Sequence, residues 1–506
     1  MSERAAEAWR PRYHFTPRRH WMNDPNGLVY VDGFYHLFYQ YSAERPRYRA
    51  ISWGHAVSRD LVRWRRMAVA IRRSNADWVY SGNALVDHEN RSGLGDGRPP
   101  CLAFFTNSRT SRTPTQHQTV DVAYSTDGGW RWQRYRENPV ADPGRYVFDA
   151  PFVFRFPNDG DFRMLVGERL TLPTGPPGRF SLYRSSDLLR WERIGQIGPF
   201  GPRTEVWEVP VLVRVPVRGR RRDGRWVLLW SIVDRIRGGI TSTRYIVGDF
   251  DGREFHPDRI GDTGREFDYG ADVYAPLTWS DAPGPPTVMG WMSCWNYARR
   301  IPPTPCFSGG PLTLPRLLAL EATATGFDLT QAPLPALRTL RGRAFSRASL
   351  RLRDERRQLP IASDAGQSFE LSTRWRRASA LRFGVRVRSG SAEFTEIGVE
   401  SEANVVYLDR RRSGRVSFAP RFPAVFRAPL PDRGRRVEID VFVDRSSVEV
   451  FAAGGRRVLT AQVYPDSDSS GVEVFAEGGD VTLERLTLWP LGSIWSTGRR
   501  ARRRVG

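Results

Sequence analysis

Three carboxylates are set apart by their neighbours. Asp24 lies in His20-Trp21-Met22-Asn23-Asp24-Pro25-Asn26-Gly27, ahead of the alternating run Leu28-Val29-Tyr30-Val31. Pro25 has no N–H and biases Asp24 towards extended backbone, and Asn26-Gly27 supplies a turn. These residue types predict a carboxylate held at a turn before a strand, with an indole and two amides beside it. Glu208 lies in Trp207-Glu208-Val209-Pro210 and Asp149 in Phe148-Asp149-Ala150-Pro151. Two carboxylates facing one pocket are the minimum for glycoside hydrolysis. One, ionised, attacks or activates water; the other delivers a proton to the leaving oxygen. The apolar flanks Val206, Trp207 and Val209 predict a raised pKa for Glu208, as a general acid requires, and the amide donors predict that Asp24 stays charged. Asp149 would accept hydrogen bonds from sugar hydroxyls and support an oxocarbenium-like transition state. Any one of these residues alone would read as an ordinary turn former in a β-rich chain.

The elements that must position them are strands. Short alternating runs such as Phe34-Tyr35-His36-Leu37-Phe38-Tyr39 dominate, and helical periodicity is nearly absent. A strand, a Ser/Asp turn and an aromatic recur at Trp64, Trp132, Trp191 and Phe255, spaced by 68, 59 and 64 residues. A period near 60 in an all-β chain means one four-stranded sheet per repeat, hence a propeller. Four copies and the divergent terminal material predict five blades. Counting 17 residues on from each aromatic reaches Ser81, Asp149, Glu208 and Asp272. If these open the innermost strands, they converge with Asp24 at one mouth of the central channel.

After Cys294 the pattern changes. The sequence predicts a propeller over 1–323, a linker over 324–345, a β-sandwich over 346–492 and an Arg-rich tail over 493–506, whose cluster Arg499 to Arg504 reads as a solvated, disordered end. In the sandwich, Asp440 to Phe451 reads as a hairpin about Asp444-Arg445-Ser446-Ser447.

Composition excludes several classes. Formal net charge is +22, yet the chain has no Lys, and its 77 basic residues, all Arg, are scattered. That looks like composition bias rather than a nucleic-acid surface. Cys101, Cys294 and Cys306 are odd in number and lack metal-ligand spacing, so neither a disulfide framework nor a metal site is expected. No cofactor is implied by the carboxylate chemistry. No run of about 18 apolar residues exists, and the first twenty residues carry no apolar signal segment, so a cytoplasmic protein without a membrane partner is expected.

The Trp21 to Gly27 string closely resembles the nucleophile motif of glycoside hydrolase family 32, the invertases, levanases, inulinases and related fructosyl enzymes. Phe38-Tyr39-Gln40-Tyr41, Trp53-Gly54-His55-Ala56, Tyr80-Ser81-Gly82, Trp207-Glu208-Val209-Pro210, Asp268 to Ala275 and Met289-Gly290-Trp291-Met292 support it. The resemblance spans roughly residues 13 to 490. It implies a five-bladed propeller with a C-terminal sandwich, and metal-free, retaining hydrolysis of β-fructosides. It further implies Asp24 as nucleophile and Glu208 as acid/base, with Asn23, Gln40, Trp53, Tyr80, Ser81 and Trp291 lining the fructose site. Two departures stand out. The family usually has Cys where this chain has Val209. Its stabiliser motif Arg-Asp-Pro is replaced by Asp149-Ala150-Pro151. Aligned without a gap on Pro151, Asp149 takes the place of the Arg; aligned by the internal repeat, it stands level with Glu208 and serves as stabiliser. A fructosyltransferase, or a fructan-binding propeller that has lost catalysis, stays open beside the hydrolase.

Overall fold

A computed structural model describes residues 8–109, 117–169, 178–200, 205–234, 240–259, 261–302 and 307–495. The 496–506 part of the Arg-rich tail, and Cys306, lie outside them. Among the described residues nearly all regular structure is strand, and the helical elements are three short 3₁₀ turns.

The alternating runs pair with their neighbours in order, as antiparallel meanders do. Blade one is built from His20–Val31, Phe34–Ser42, Ile51–Ser58 and Arg65–Arg66. Blade two runs from Asp77–Val86 to Gln133–Arg134, blade three from Val147–Arg155 to Glu192–Ile197, and blade four from Glu205–Val217 to Phe255–Pro257. Blade five comprises Tyr274–Thr278, Thr287–Trp291, Arg316–Thr323 and Gly326–Pro333. The first strands of the five blades lie side by side, and the fifth comes back to the first, which closes a five-bladed propeller. Phe307–Ser308 adds to the first strand in parallel, opposite His20 and Trp21.

The repeated Ser/Asp turns have a common cause. Asp60, Asp127 and Asp187 each take two backbone N–H groups, from residues two to four further on, onto one carboxylate oxygen, and Ser58, Ser125 and Ser185 donate to them. The blades bury their faces against each other. Phe180 and Leu182 of blade three, for example, pack on Trp207, Leu228 and Trp230 of blade four. Each such side chain contributes roughly 1.5–3 kcal/mol when fully buried.

The stretch expected as a linker is largely ordered: Gly326–Pro333 is the outer strand of blade five, and Pro335–Leu340 is a 3₁₀ turn. From Phe345 two six-stranded sheets stack into a sandwich over Leu371, Trp375, Val385, Val399, Val441 and Leu483. In it Arg436–Asp444 pairs with Ser447–Ala452, Asp444 opposite Ser447.

Buried charges join propeller and sandwich. Arg316 of blade five bonds Glu449 and Thr460 of the sandwich and Asp268 just before the fifth inner strand. His14 lies between Asp444 (2.9 Å) and Glu449 (2.8 Å), fully buried. Asp444 also accepts the backbone N–H groups of Arg12, Tyr13 and His14.

Candidate active site

A cavity of about 470 Å³ opens at one mouth of the channel, floored by Asp24, Gln40, Ser81, Asp149 and Glu208. Asp24 does not sit at a turn before a strand. It lies within the first inner strand, where Asn23 and Asp24 together face the single residue Gln40: pairing passes from Met22 opposite Tyr41 to Pro25 opposite Tyr39. Such a bulge re-aims a side chain without leaving the sheet. Pro25 and Gly27 therefore shape the strand rather than end it; the reversal comes later, at Asp32-Gly33.

A chain of amides fixes the carboxylate. Trp21 Nε1 donates to Asn23 Oδ1 (2.8 Å), and Asn23 Nδ2 to Gln40 Oε1 (3.0 Å). Gln40 Nε2 then donates to Asp24 Oδ2 (3.2 Å) and to Ser81 Oγ (2.6 Å), while Ser81 Oγ donates to Asp24 Oδ2 (3.0 Å). Oδ1 accepts no hydrogen bond. Burial raises the Asp24 pKa to about 6, with Glu208 adding to it and the Asn23 and Ser81 side chains opposing it. The amides hold Asp24 in place but do not keep its pKa at the usual carboxylate value.

Asp149, Glu208 and Tyr274 occupy one structural position in three successive blades. Each is the last paired residue before a two-residue bulge: Ala150-Pro151, Val209-Pro210 and Ala275-Pro276. Ala150, Val209 and Ala275 all have left-handed backbone, at φ 55°, 51° and 49°. That conformation costs a non-glycine residue on the order of 1 kcal/mol. Hydroxyls on the preceding blade brace two of the three: Thr106 Oγ1 accepts Ala150 N at 2.7 Å, and Ser231 Oγ accepts Ala275 N at 2.8 Å. Proline follows in every case, where no N–H is required. Opposite Asp149 stands Gly167, where a Cβ would come within 2.6 Å of Asp149 Oδ1.

The Tyr274 hydroxyl donates to Glu208 Oε2. Burial, and then the charges of Glu208, Asp24 and Asp149, hold that hydroxyl well above its ordinary pKa, so it remains a donor. Of the apolar neighbours of Glu208 in sequence, Val209 shares its cavity but Trp207 does not. Trp207 alternates away into the core between blades three and four, against Trp230 at 4.7 Å.

An aromatic rim stands over these groups. Tyr48 lies parallel to Tyr80 at 6.4 Å and edge-on to Trp295 at 5.1 Å. The Arg299 guanidinium lies over both Tyr48 and Trp295. Gln118 and Tyr146 complete the wall.

Several expected site residues are placed elsewhere. Asp272 does not enter the channel: it is fully buried against the sandwich and ion-paired with Arg410 at 2.6 Å. The 17-residue count fails there because the connection after Phe255 is two residues longer, which puts Tyr274 at the blade position. Ser81 reaches the cavity, but from the second bulge residue, the position that Asp24 holds in blade one. Trp53 and Trp291 are fully buried behind the wall, donating to Tyr80 O and Gly309 O. Asn23 acts on Gln40 and is likewise buried. Tyr48, Trp295, Arg299 and Tyr274 were not anticipated. Tyr274 was within reach of the sequence, since Tyr274-Ala275-Pro276 repeats the pattern of Glu208-Val209-Pro210. Among the described residues no group of three or more His, Cys, Asp or Glu is placed to hold a metal ion.

A five-bladed propeller that gathers carboxylates beneath aromatic rings at its mouth is the scaffold of a glycoside hydrolase. The chain matches the glycosyl hydrolases family 32 N-terminal domain over residues 14–333 and the family 32 C-terminal domain over 336–490, and it belongs to that family. It is 36% identical over 502 residues to a levanase of Bacillus subtilis, covering 97% of this chain and 72% of that protein. It is 32% identical to an extracellular exo-inulinase of Aspergillus awamori, across 97% and 96% of the two chains. The crystal structure of exo-inulinase from Aspergillus awamori superposes with a TM-score of 0.86 at 30% identity, covering 96% of this chain and 99% of that one. A fructofuranosidase from Schwanniomyces occidentalis complexed with fructose gives 0.84 at 26% identity, covering 97% and 99%.

Proposed function

We propose that this protein is a retaining glycoside hydrolase that releases fructose from β-fructosides, with Asp24 as nucleophile and Glu208 as acid/base. The observation that carries the roles is the meeting of the two carboxyls in one cavity with different partners. Asp24 keeps Oδ1 unbonded while Gln40 and Ser81 fix Oδ2. Glu208 is oriented by the Tyr274 hydroxyl. In the first step Asp24 Oδ1 attacks the anomeric carbon of the fructosyl unit. The bond to the leaving oxygen breaks as that oxygen takes the proton of Glu208. In the second, Glu208 takes a proton from water, the water oxygen bonds the anomeric carbon, and Asp24 departs. Asp149 stands level with Glu208 in the neighbouring blade, where it accepts hydrogen bonds from ring hydroxyls as positive charge develops.

The substrates are oligomeric or polymeric β-fructosides as well as sucrose. Relatives named as levanase and exo-inulinase over 97% of this chain support this, and favour water over a second sugar as acceptor. Incubation with sucrose, inulin and levan tests the reading. Free fructose is the expected main product, its first anomer of β configuration by NMR. Transfer products in excess of fructose, or no turnover of any of the three, would overturn it.

A further inference from the structure

The rim residues Trp295 and Arg299 sit on two overlapping turns of helical hydrogen-bond spacing. Cys294 O accepts Ala298 N at 2.9 Å, and Tyr297 O accepts Ile301 N at 3.1 Å. Residues four apart share a face of such a turn and a residue midway points the other way. Trp295 and Arg299 accordingly face the cavity, while Tyr297 is buried away from it.

Tyr297 is gripped from the sandwich. Its hydroxyl donates to Asp272 Oδ1 and accepts Arg410 Nη2 at 2.9 Å. Arg410 Nη1 donates to Asp272 Oδ2 at 2.6 Å, as does the backbone N–H of Gln462 at 2.8 Å. The guanidinium is anchored through Nε to Phe422 O (2.6 Å) and lies 3.9 Å from the Phe422 ring centre. Gln462 Nε2 reaches Met292 O, at the start of the same segment, at 2.6 Å. Asp272 and Arg410 are fully buried and Tyr297 nearly so. A buried, fully bonded ion pair of this kind admits one geometry, because any displacement leaves a charge without a partner.

We propose that Arg410, Asp272 and Tyr297 are positioning residues, through which the sandwich fixes the Trp295–Arg299 rim and so sets how tightly the substrate beyond its fructosyl unit is held. The floor residues Asp24, Gln40 and Ser81 are buried, whereas Trp295 is half-buried and Arg299 exposed. The rim therefore meets the more distant parts of a substrate whose reacting bond lies at the carboxylates. The proposal rests on the β-fructosidase reading.

Arg410→Ala strands a buried carboxylate and risks the fold, so the test uses Tyr297→Phe and Arg410→Lys. Both should raise KM for inulin-type oligosaccharides about tenfold and leave kcat within about twofold, the pattern of lost uniform binding. The pH profile should not move. In a double-mutant cycle, Tyr297→Phe should add little once Arg299→Ala has been made, because both act on one rim. Unchanged KM in the folded variants would overturn the proposal. So would a KM rise that adds fully to that of Arg299→Ala. Wild-type enzyme in the same assay separates the two readings: if it turns over no β-fructoside, the function is wrong, and if it turns over with no rim effect, only the clamp is.

Discussion

Asp24 carries opposing demands. The proposed nucleophilic role needs it ionised, yet its site is dry enough to raise the pKa to about 6. In the free enzyme, kcat/KM should therefore fall as pH drops through about 6, and a pH–rate profile reads this limb directly. The same shift bears on stability. The folded pKa exceeds the ordinary carboxylate value, so folding favours the protonated form. That contribution is complete below about pH 4 and lost as pH rises through 6. At pH 8 the buried charge costs on the order of 3 kcal/mol. Asp24→Asn should lower turnover by several orders of magnitude and still raise Tm at pH 8, with the gain vanishing near pH 4. A lower Tm at pH 8 would show that the ionised carboxylate is stabilised in place. Asp149→Ala should reduce kcat far more than it changes KM, as loss of a transition-state contact does. The double variant Asp149→Arg/Ala150→Asp, which restores the family's Arg-Asp-Pro, should lose activity, because Asp149 occupies the blade position of Glu208. A sharp gain would show that Asp149 stands in for the Arg.

At the scale of elements, the N-terminal segment is held by charge. Burial opposes a charged His14, but hydrogen bonds to Asp444 and Glu449 outweigh it and raise its pKa to about 9. Burial likewise opposes the charges of Asp444 and Glu449, yet His14 on the first, and Arg316 with His14 on the second, bring both down to about 2. The raised His14 pKa stabilises the fold fully below pH 6.5 and is lost as pH passes through 9. The two depressed carboxylates stabilise it above about 4.5 and fail as pH falls through 2. On their own these three groups leave stability flat between about pH 4.5 and 6.5, so with the Asp24 titration removed by Asp24→Asn, Tm should be flat there and decline on both sides. His14→Gln should cost about 3–5 kcal/mol, because buried Asp444 loses its cation and Glu449 is left with Arg316 alone. A Tm within one degree of wild type would count against the bridge. Much of this architecture was legible in the sequence. The blade period could be read because each copy needs its own Ser/Asp turn and aromatic. The register held at Asp149 and Glu208, where the bulge and its proline recur. It failed at Asp272, since loop length is free to vary on a surface while bulge geometry is not. His14, Arg410 and the Trp295–Arg299 rim were not legible, because their partners are distant in sequence and short-range patterns carry no trace of them.

For the molecule as a whole, propeller and sandwich share buried ions at Arg316–Asp268–Glu449 and Arg410–Asp272. Neither part can leave the other without exposing the faces that hold these charges or stranding the charges themselves. Calorimetry should show one cooperative transition for the two units, with calorimetric and van't Hoff enthalpies in agreement. Two resolved transitions would mean that the sandwich folds and melts on its own.

The bridge at His14 also fixes an order of events during synthesis. His14 is made well before its partners Asp444 and Glu449, which follow 430 and 435 residues later. At about 5–20 residues per second, that interval is roughly 20 to 90 s. Throughout it the segment that leads into the strand of Asp24, which begins only six residues beyond His14, lacks its charged partners. The nascent enzyme can therefore build its blades early and pair the start of the Asp24 strand with Phe307–Ser308, but the residues just before that strand gain their ionic anchor only when the sandwich hairpin has emerged.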